Sequence, residues 1–206
     1  MTDVSLTLAL EHRRTCREFD GRALPLPVVH RLLWAAQGIT GAMGERTAPS
    51  AHALHPLRLV LVVGAVEGLE SGVYAADPQT GRLTMTVHRD VRGELQAAAL
   101  DDQPWIGLAP FILTLCADFV TPAKDFADQP PFGQRGERYV YIEAGAAAQN
   151  VQLQAVSEGL GCVLVAGFKD EATANLLDLK PPLAPVLHLC LGWPQIPDGT
   201  VDLFSS

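Results

Sequence analysis

Arg13, Arg14 and Arg17 fall within five positions around a hydroxyl residue, Thr15, near the start of a chain whose net charge is −8. Guanidinium groups are planar forks of donors that grip phosphate or carboxylate oxygens two at a time. The run therefore fits an anion site, and it fits a solvated basic face equally well. Residue types alone leave both readings open. Arg46 poses the same choice, between a further anion ligand and a solvated loop residue. The four cysteines, Cys16, Cys116, Cys162 and Cys190, are scattered, without a C-x-x-C pair or a histidine at metal-ligand spacing. All are expected to be reduced thiols, three of them in or beside apolar runs as small hydrophobes, with no structural zinc.

The 206 residues are 48% hydrophobic, enough for one domain with a substantial core. An excess of 23 acidic over 15 basic side chains repels nucleic acid and anionic membrane surfaces, so neither is expected as a partner. The N-terminal residues lack the basic-then-apolar order of a secretory signal, and no apolar run reaches the ~20 residues of a bilayer span. A soluble, cytoplasmic protein is the expectation.

The chemistry needs a frame. Leu6, Leu8 and Leu10 suggest a short helix, and residues 25–38 a longer one, with Pro27 in its first turn and Gly38 as its stop. Leu57–Val66 reads as a buried strand, residues 72–87 as a hairpin turning at Asp77–Gly81, residues 89–100 as a helix and residues 110–118 as a second core strand. From Phe119 to Gly136 the composition turns to Pro, Asp, Gly and Gln, which suggests a long flexible excursion. A long helix follows, ending at Gly159 or Gly161, with small residues at its centre and Glu143, Gln149 and Asn150 expected to satisfy hydrogen bonds within it. Then come a strand at residues 162–168, a short helix and a last strand at residues 185–193. This uneven alternation predicts an α+β class with a central mixed or antiparallel sheet flanked by helices.

Four segments in order, "RRTCREF", "APSAHALHPLRLVLV", "RYVYIEAGAAAQNVQLQAVSEGLG" and "VLVAGF", resemble the FMN-dependent nitroreductase family over residues 10–193. The second is most similar to the SagB-type azoline oxidase branch, whose pattern is Pro-Ser-Ala-Gly-Ala-Leu-Tyr-Pro. The resemblance implies a single FMN-binding domain in a homodimer, with the long helix at the interface and each flavin between subunits. It assigns Arg13, Arg14 and Thr15 to the phosphate and ribityl end, and Arg17 to the flavin N1 and O2. It places Pro49, Ser50 and Ala51 along the ribityl chain and pyrimidine. Leu164 and Val165 would pack on one ring face, while the Ala166 and Gly167 N–H groups address N5 and O4. No side chain is expected to be catalytic in itself; NAD(P)H would supply hydride, and a nitroaromatic, a quinone or another flat acceptor would be reduced. The Phe119–Gly136 segment would gate the ring face.

The chain departs from that branch in three places. Pro131-Phe132 stands where azoline oxidases carry a Lys-Tyr pair, and proline cannot take a proton. His52 and His55 replace glycine and tyrosine, each either an acid or donor at the pocket wall or a satisfied loop residue. No basic residue follows Gly192, so phosphate neutralisation falls to the early arginines, with Arg46 as a candidate helper. A flavin dehydrogenase of a biosynthetic intermediate and a non-catalytic flavin-binding domain therefore remain as alternatives.

Overall fold

The computed structural model describes residues 4–77 and 79–195. Continuous apolar runs become the centre of a sheet because both of its faces are covered. In β1 (Leu57–Val63), Leu57, Leu59, Leu61 and Val63 join one core, while Val60 and Val62 join another on the opposite face. The same alternation divides β4 (Phe111–Asp118) and β6 (Leu183–Gly192). With the hairpin of β2 (Gly72–Ala76) and β3 (Leu83–Val87) and the edge strand β5 (Gly161–Val165), they form one six-stranded sheet ordered β3-β2-β1-β4-β6-β5. Every strand pairing is antiparallel, so the expected α+β class holds and the sheet is antiparallel rather than mixed.

One face packs on α2 (Leu26–Gln37) and α6 (Arg135–Ser157); the other carries α3 (Arg92–Ala98), α4 (Trp105–Leu108) and α7 (Asp170–Leu176). Pro27 does sit in the first turn of α2, and the Gly38 N–H closes that helix on the Trp34 carbonyl at 2.7 Å. Beyond α6, Gly159 takes φ +73° and the Leu160 N–H returns to the Ala155 carbonyl at 2.8 Å. α1 (Leu6–His12) buries only Ala9, leaving Leu6 and Leu10 on the surface. Cys116, Cys162 and Cys190 are core residues; burial pushes the Cys162 thiol up to about 12, with neighbouring Cys16 adding to the shift.

The flexible excursion expected at Phe119–Gly136 is corrected by α5 (Val120–Asp125). Asp118 Oδ1 accepts from the Val120 and Thr121 N–H groups at 2.7 and 3.1 Å, starting a helix that composition hides. Phe126 then anchors the segment, buried against the rings of His52 and Tyr139 at 4.5 and 4.7 Å. The C-terminal stretch beyond Gln195, including most of the region noted for lacking a base, lies outside the described residues.

α5 touches α6 where Gly136 has no side chain: a Cβ there would lie 2.3 Å from the Pro122 carbonyl. Gly136→Ala is expected to destabilise the fold by about 1–3 kcal/mol, the usual range for overpacking. Urea denaturation measures it as a fall in midpoint with an unchanged slope.

Candidate functional site

The arginine run leaves α1 and crosses to the sheet edge. Arg13 is half-buried and extends Nη1 to Gln152 Oε1 of α6 at 3.4 Å. Arg14 is exposed, its Nη1 on the Arg13 carbonyl at 2.9 Å. Thr15 then makes a parallel bridge with Cys162 of β5, secured by the Cys16 N–H on the Cys162 carbonyl at 3.0 Å. Arg17 lies over the Trp105 ring of α4, 5.1 Å from its centroid, a contact worth about 0.5–1 kcal/mol when exposed.

Farther along β5 the strand's alternation decides what is presented. Leu164 is 41% exposed, whereas Val163 and Val165 point into the core on the α3–α4–α7 face. The strand ends at Val165. The Gly167 carbonyl accepts from the Leu100 N–H at 2.9 Å and from Gln103 Nε2 at 3.2 Å, and Gln103 Nε2 also reaches the Leu100 carbonyl at 2.7 Å. Among the described residues no backbone carbonyl accepts from the Ala166 or Gly167 N–H. Two adjacent donors are thus left free on a surface stretch, Ala166 exposed and Gly167 half-exposed.

A second polar group sits along α6. Ser50 precedes a 3-10 turn (Ala51–Ala53), and its Oγ accepts from the His55 N–H at 2.9 Å. His52, Ala53 and His55 all adopt left-handed backbone, φ 51°, 54° and 46°, which costs non-glycine residues energy and commonly marks a working loop. His52 Nδ1 meets Asp125 Oδ2 at 2.7 Å. Beneath the turn, Glu143 is 3% exposed and its Oε1 has no hydrogen-bond partner among the described residues. Burial raises its pKa, against the pull of nearby Ser50, Arg46 and Gln37. Arg46 Nη1 is held by Gln37 Oε1 at 3.0 Å; burial and nearby Arg58 lower the pKa of Arg46. Burial with Arg46 and Arg58 likewise lowers that of His55.

The Nitroreductase family model matches residues 10–193. The chain belongs to the nitroreductase family. A nitroreductase-family protein of Methanocaldococcus jannaschii is 36% identical over 178 residues, 86% of each chain. A nitroreductase-family structure from Ralstonia eutropha superposes with TM-score 0.79 at 28% identity, covering 96% of this chain and 87% of that one. The Escherichia coli microcin synthetase McbBCD complex shares the fold, with TM-score 0.75 at 23% identity over 91% of this chain and 70% of that one. This is an oxidoreductase family that generally uses flavin.

Within the nitroreductase fold, Thr15 and Cys16 tie the arginine segment to β5, the strand that leads to Ala166 and Gly167. No hydrogen bond among the described residues joins Pro49, Ser50 or Ala51 to the arginine segment or to Ala166 and Gly167. Ser50 and Ala51 pack near Glu143, nine residues along α6 from Gln152, about 14 Å of helix at ~1.5 Å per residue. Arg46 belongs to that second group, held by Gln37 and near Glu143. Val165 offers a ligand only backbone, because its side chain is core. Sequence reasoning missed Gln103, Trp105 and Asp125, whose partners are remote in the chain; the Gln-Pro-Trp stretch gave no local sign of them.

Glu143 generates a pH prediction. Its folded-state pKa lies above the unfolded value, so its contribution to stability is complete below the ordinary carboxylate range and is lost as pH rises through the folded-state value. Glu143→Gln is expected to match the parent at low pH and exceed it in stability near pH 8, by about 1.4 kcal/mol per unit of pKa elevation. Denaturation midpoints of both proteins across pH measure the difference; parallel curves would contradict it.

Proposed function

We propose that the protein is an FMN-dependent NAD(P)H oxidoreductase acting on a small flat acceptor such as a nitroaromatic or quinone. The observation that carries this reading is the pair of unpartnered N–H groups at Ala166 and Gly167, on the same strand whose start is bridged to the arginine segment. From Cys162 to Ala166 the strand advances about 13 Å at ~3.3 Å per residue, a span of the same order as the distance from phosphate to ring in an extended FMN. The donor set fits that ligand: Arg13, Arg14 and Thr15 for a dianionic phosphate, free amides for the ring acceptors N5 and O4, and exposed Leu164 for a ring face. Bound flavin supplies two-electron hydride chemistry. The chain's own part is to hold the phosphate, aim two N–H groups at the ring edge, and set the Arg17 charge beside N1 and O2, where it favours the reduced form.

Pro49–Ala51 enter this reading through a homodimer, in which the turn of one subunit completes the flavin site of the other. Tyr141 and Ile142 on α6, 52% and 59% exposed with Gly145 open beside them, supply an apolar face for such an interface.

A second reading, oxidation of a biosynthetic intermediate with the flavin as acceptor, is favoured by one feature. His52, an exposed imidazole, is oriented by Asp125 in the manner of a general base, on the loop assigned to the flavin wall. The missing Lys-Tyr pair opposes the relatives' own proton route but leaves this one available.

Purified protein titrated with FMN is expected to turn yellow with flavin bound, and anaerobic NADH or NADPH to bleach it. Arg13→Ala is expected to weaken FMN binding about 10- to 100-fold, the loss of a charge-assisted hydrogen bond worth ~1.5–3 kcal/mol. Bound flavin that neither nicotinamide reduces favours the second reading if a substrate reduces it, and a non-catalytic flavin domain if none does. Failure to bind FMN contradicts all three.

A further inference from the structure

Leu100–Trp105 is the segment through which the two ends of the candidate site are tied together. At one end the Leu100 N–H and Gln103 Nε2 both hold the Gly167 carbonyl, at 2.9 and 3.2 Å, pinning a residue of the free amide pair. Two residues on from Gln103, the Trp105 ring lies under the Arg17 guanidinium at 5.1 Å. Arg17 in turn follows Cys16, whose N–H is fixed to Cys162 on the same strand that leads to Gly167. The contacts close a ring: strand, Gly167, Gln103, Trp105, Arg17, Cys16 and back to the strand.

The ring has features that ordinary packing does not require. Arg17 is exposed and has neither an ion pair nor a side-chain hydrogen bond among the described residues, so its order comes from the indole face. Asp101 takes left-handed backbone, φ 63°, to turn the segment back towards Gly167. The Ala99–Phe168 bridge and the Lys169 N–H on the Ala98 carbonyl at 2.9 Å fasten the flanking residues. Leu100 is 50% exposed despite this anchoring, which leaves an apolar side chain beside the free amides.

We propose that Trp105 and Gln103 are positioning residues that hold the Arg17 cation and the Ala166–Gly167 amides at a fixed spacing along one flavin ring, with Trp105 acting through Arg17. The proposal rests on the flavin reading above. Its physical content is simple. A cation on a long, rotatable stem loses its effect on a ring when it wanders into solvent, and a flat π face restrains it without neutralising it. Stacking on Trp105 thus leaves the full charge of Arg17 available to the reduced flavin.

The test measures the midpoint potential of bound FMN in the holoprotein. Arg17→Gln is expected to lower it by about 30 mV, a tenfold shift towards oxidised flavin for a two-electron couple. Trp105→Leu is expected to lower it in the same direction, and Trp105→Phe, which keeps a π face, to restore most of the loss. The double variant R17Q/W105L is expected to fall no lower than R17Q alone, because the indole acts through the arginine. Gln103→Leu, at a half-exposed position and suited to the case in which W105L does not fold, is expected to weaken FMN binding about tenfold. An unchanged potential in R17Q or W105L, full additivity in the double variant, or unchanged FMN affinity in Q103L overturns the proposal while leaving the flavin reading intact. An unsubstituted protein that binds no FMN overturns both.

Discussion

Thr15 pairs with β5 at a single point, and the proposed flavin site depends on how little of the strand that pairing uses. β5 is the last strand of the sheet, so one of its edges has no partner strand. Exposed edges normally invite unwanted pairing and are covered or blunted. Here the N-terminal segment covers the edge at Cys162, then turns away to Phe19 and its bridge with Pro194. The docking delivers the guanidinium groups to the strand while the amides beyond Val165 stay unpaired. A longer pairing along the same edge would reach towards Ala166; the single bridge leaves that stretch open.

The strand itself is held by the sheet behind it. β5 and β6 pair over five positions, and Val163 and Val165 enter a core that contains Phe168 and Leu177. Burial on that side is what frees Leu164 and Ala166 on the other, by the two-residue period of a strand. On the opposite face of the sheet, α6 spaces the two polar groups. Its small residues allow close packing on the sheet and α2, while Gln152 meets Arg13 and Glu143 lies beneath Ser50. The buried Glu143 is costly to ionise and sits under a turn with strained backbone, a combination that fold stability alone does not favour.

Much of this was legible in the sequence, for identifiable reasons. β1, β4 and β6 are covered on both faces, so their apolar runs are unbroken and easy to read; Pro27 and Gly38 mark α2 with local chemistry. Phe119–Gly136 was misread because the signals that fold it are a capping Asp118 and one anchoring Phe126, set among residues whose composition suggests a loop. Leu164 and Val165 were grouped as neighbours when strand geometry sends them to opposite faces. The arginine run was visible at once, yet its choice between solvent and ligand depended on Cys162 and Trp105, which are distant in the chain. Gln103 and Trp105 carry no motif; only the folded chain brings them to Gly167 and Arg17.

The central claim is that one flavin lies along β5, gripped by its phosphate at Arg13–Thr15 and addressed at its ring by Ala166 and Gly167. A crystal structure of the protein grown with FMN tests this most directly. The account predicts phosphate oxygens within hydrogen-bond distance of the Arg13 guanidinium or Thr15 hydroxyl, and flavin N5 about 2.7–3.2 Å from the Ala166 or Gly167 nitrogen. A flavin seated elsewhere, or one on β5 with its phosphate at the Gly167 end, would contradict it.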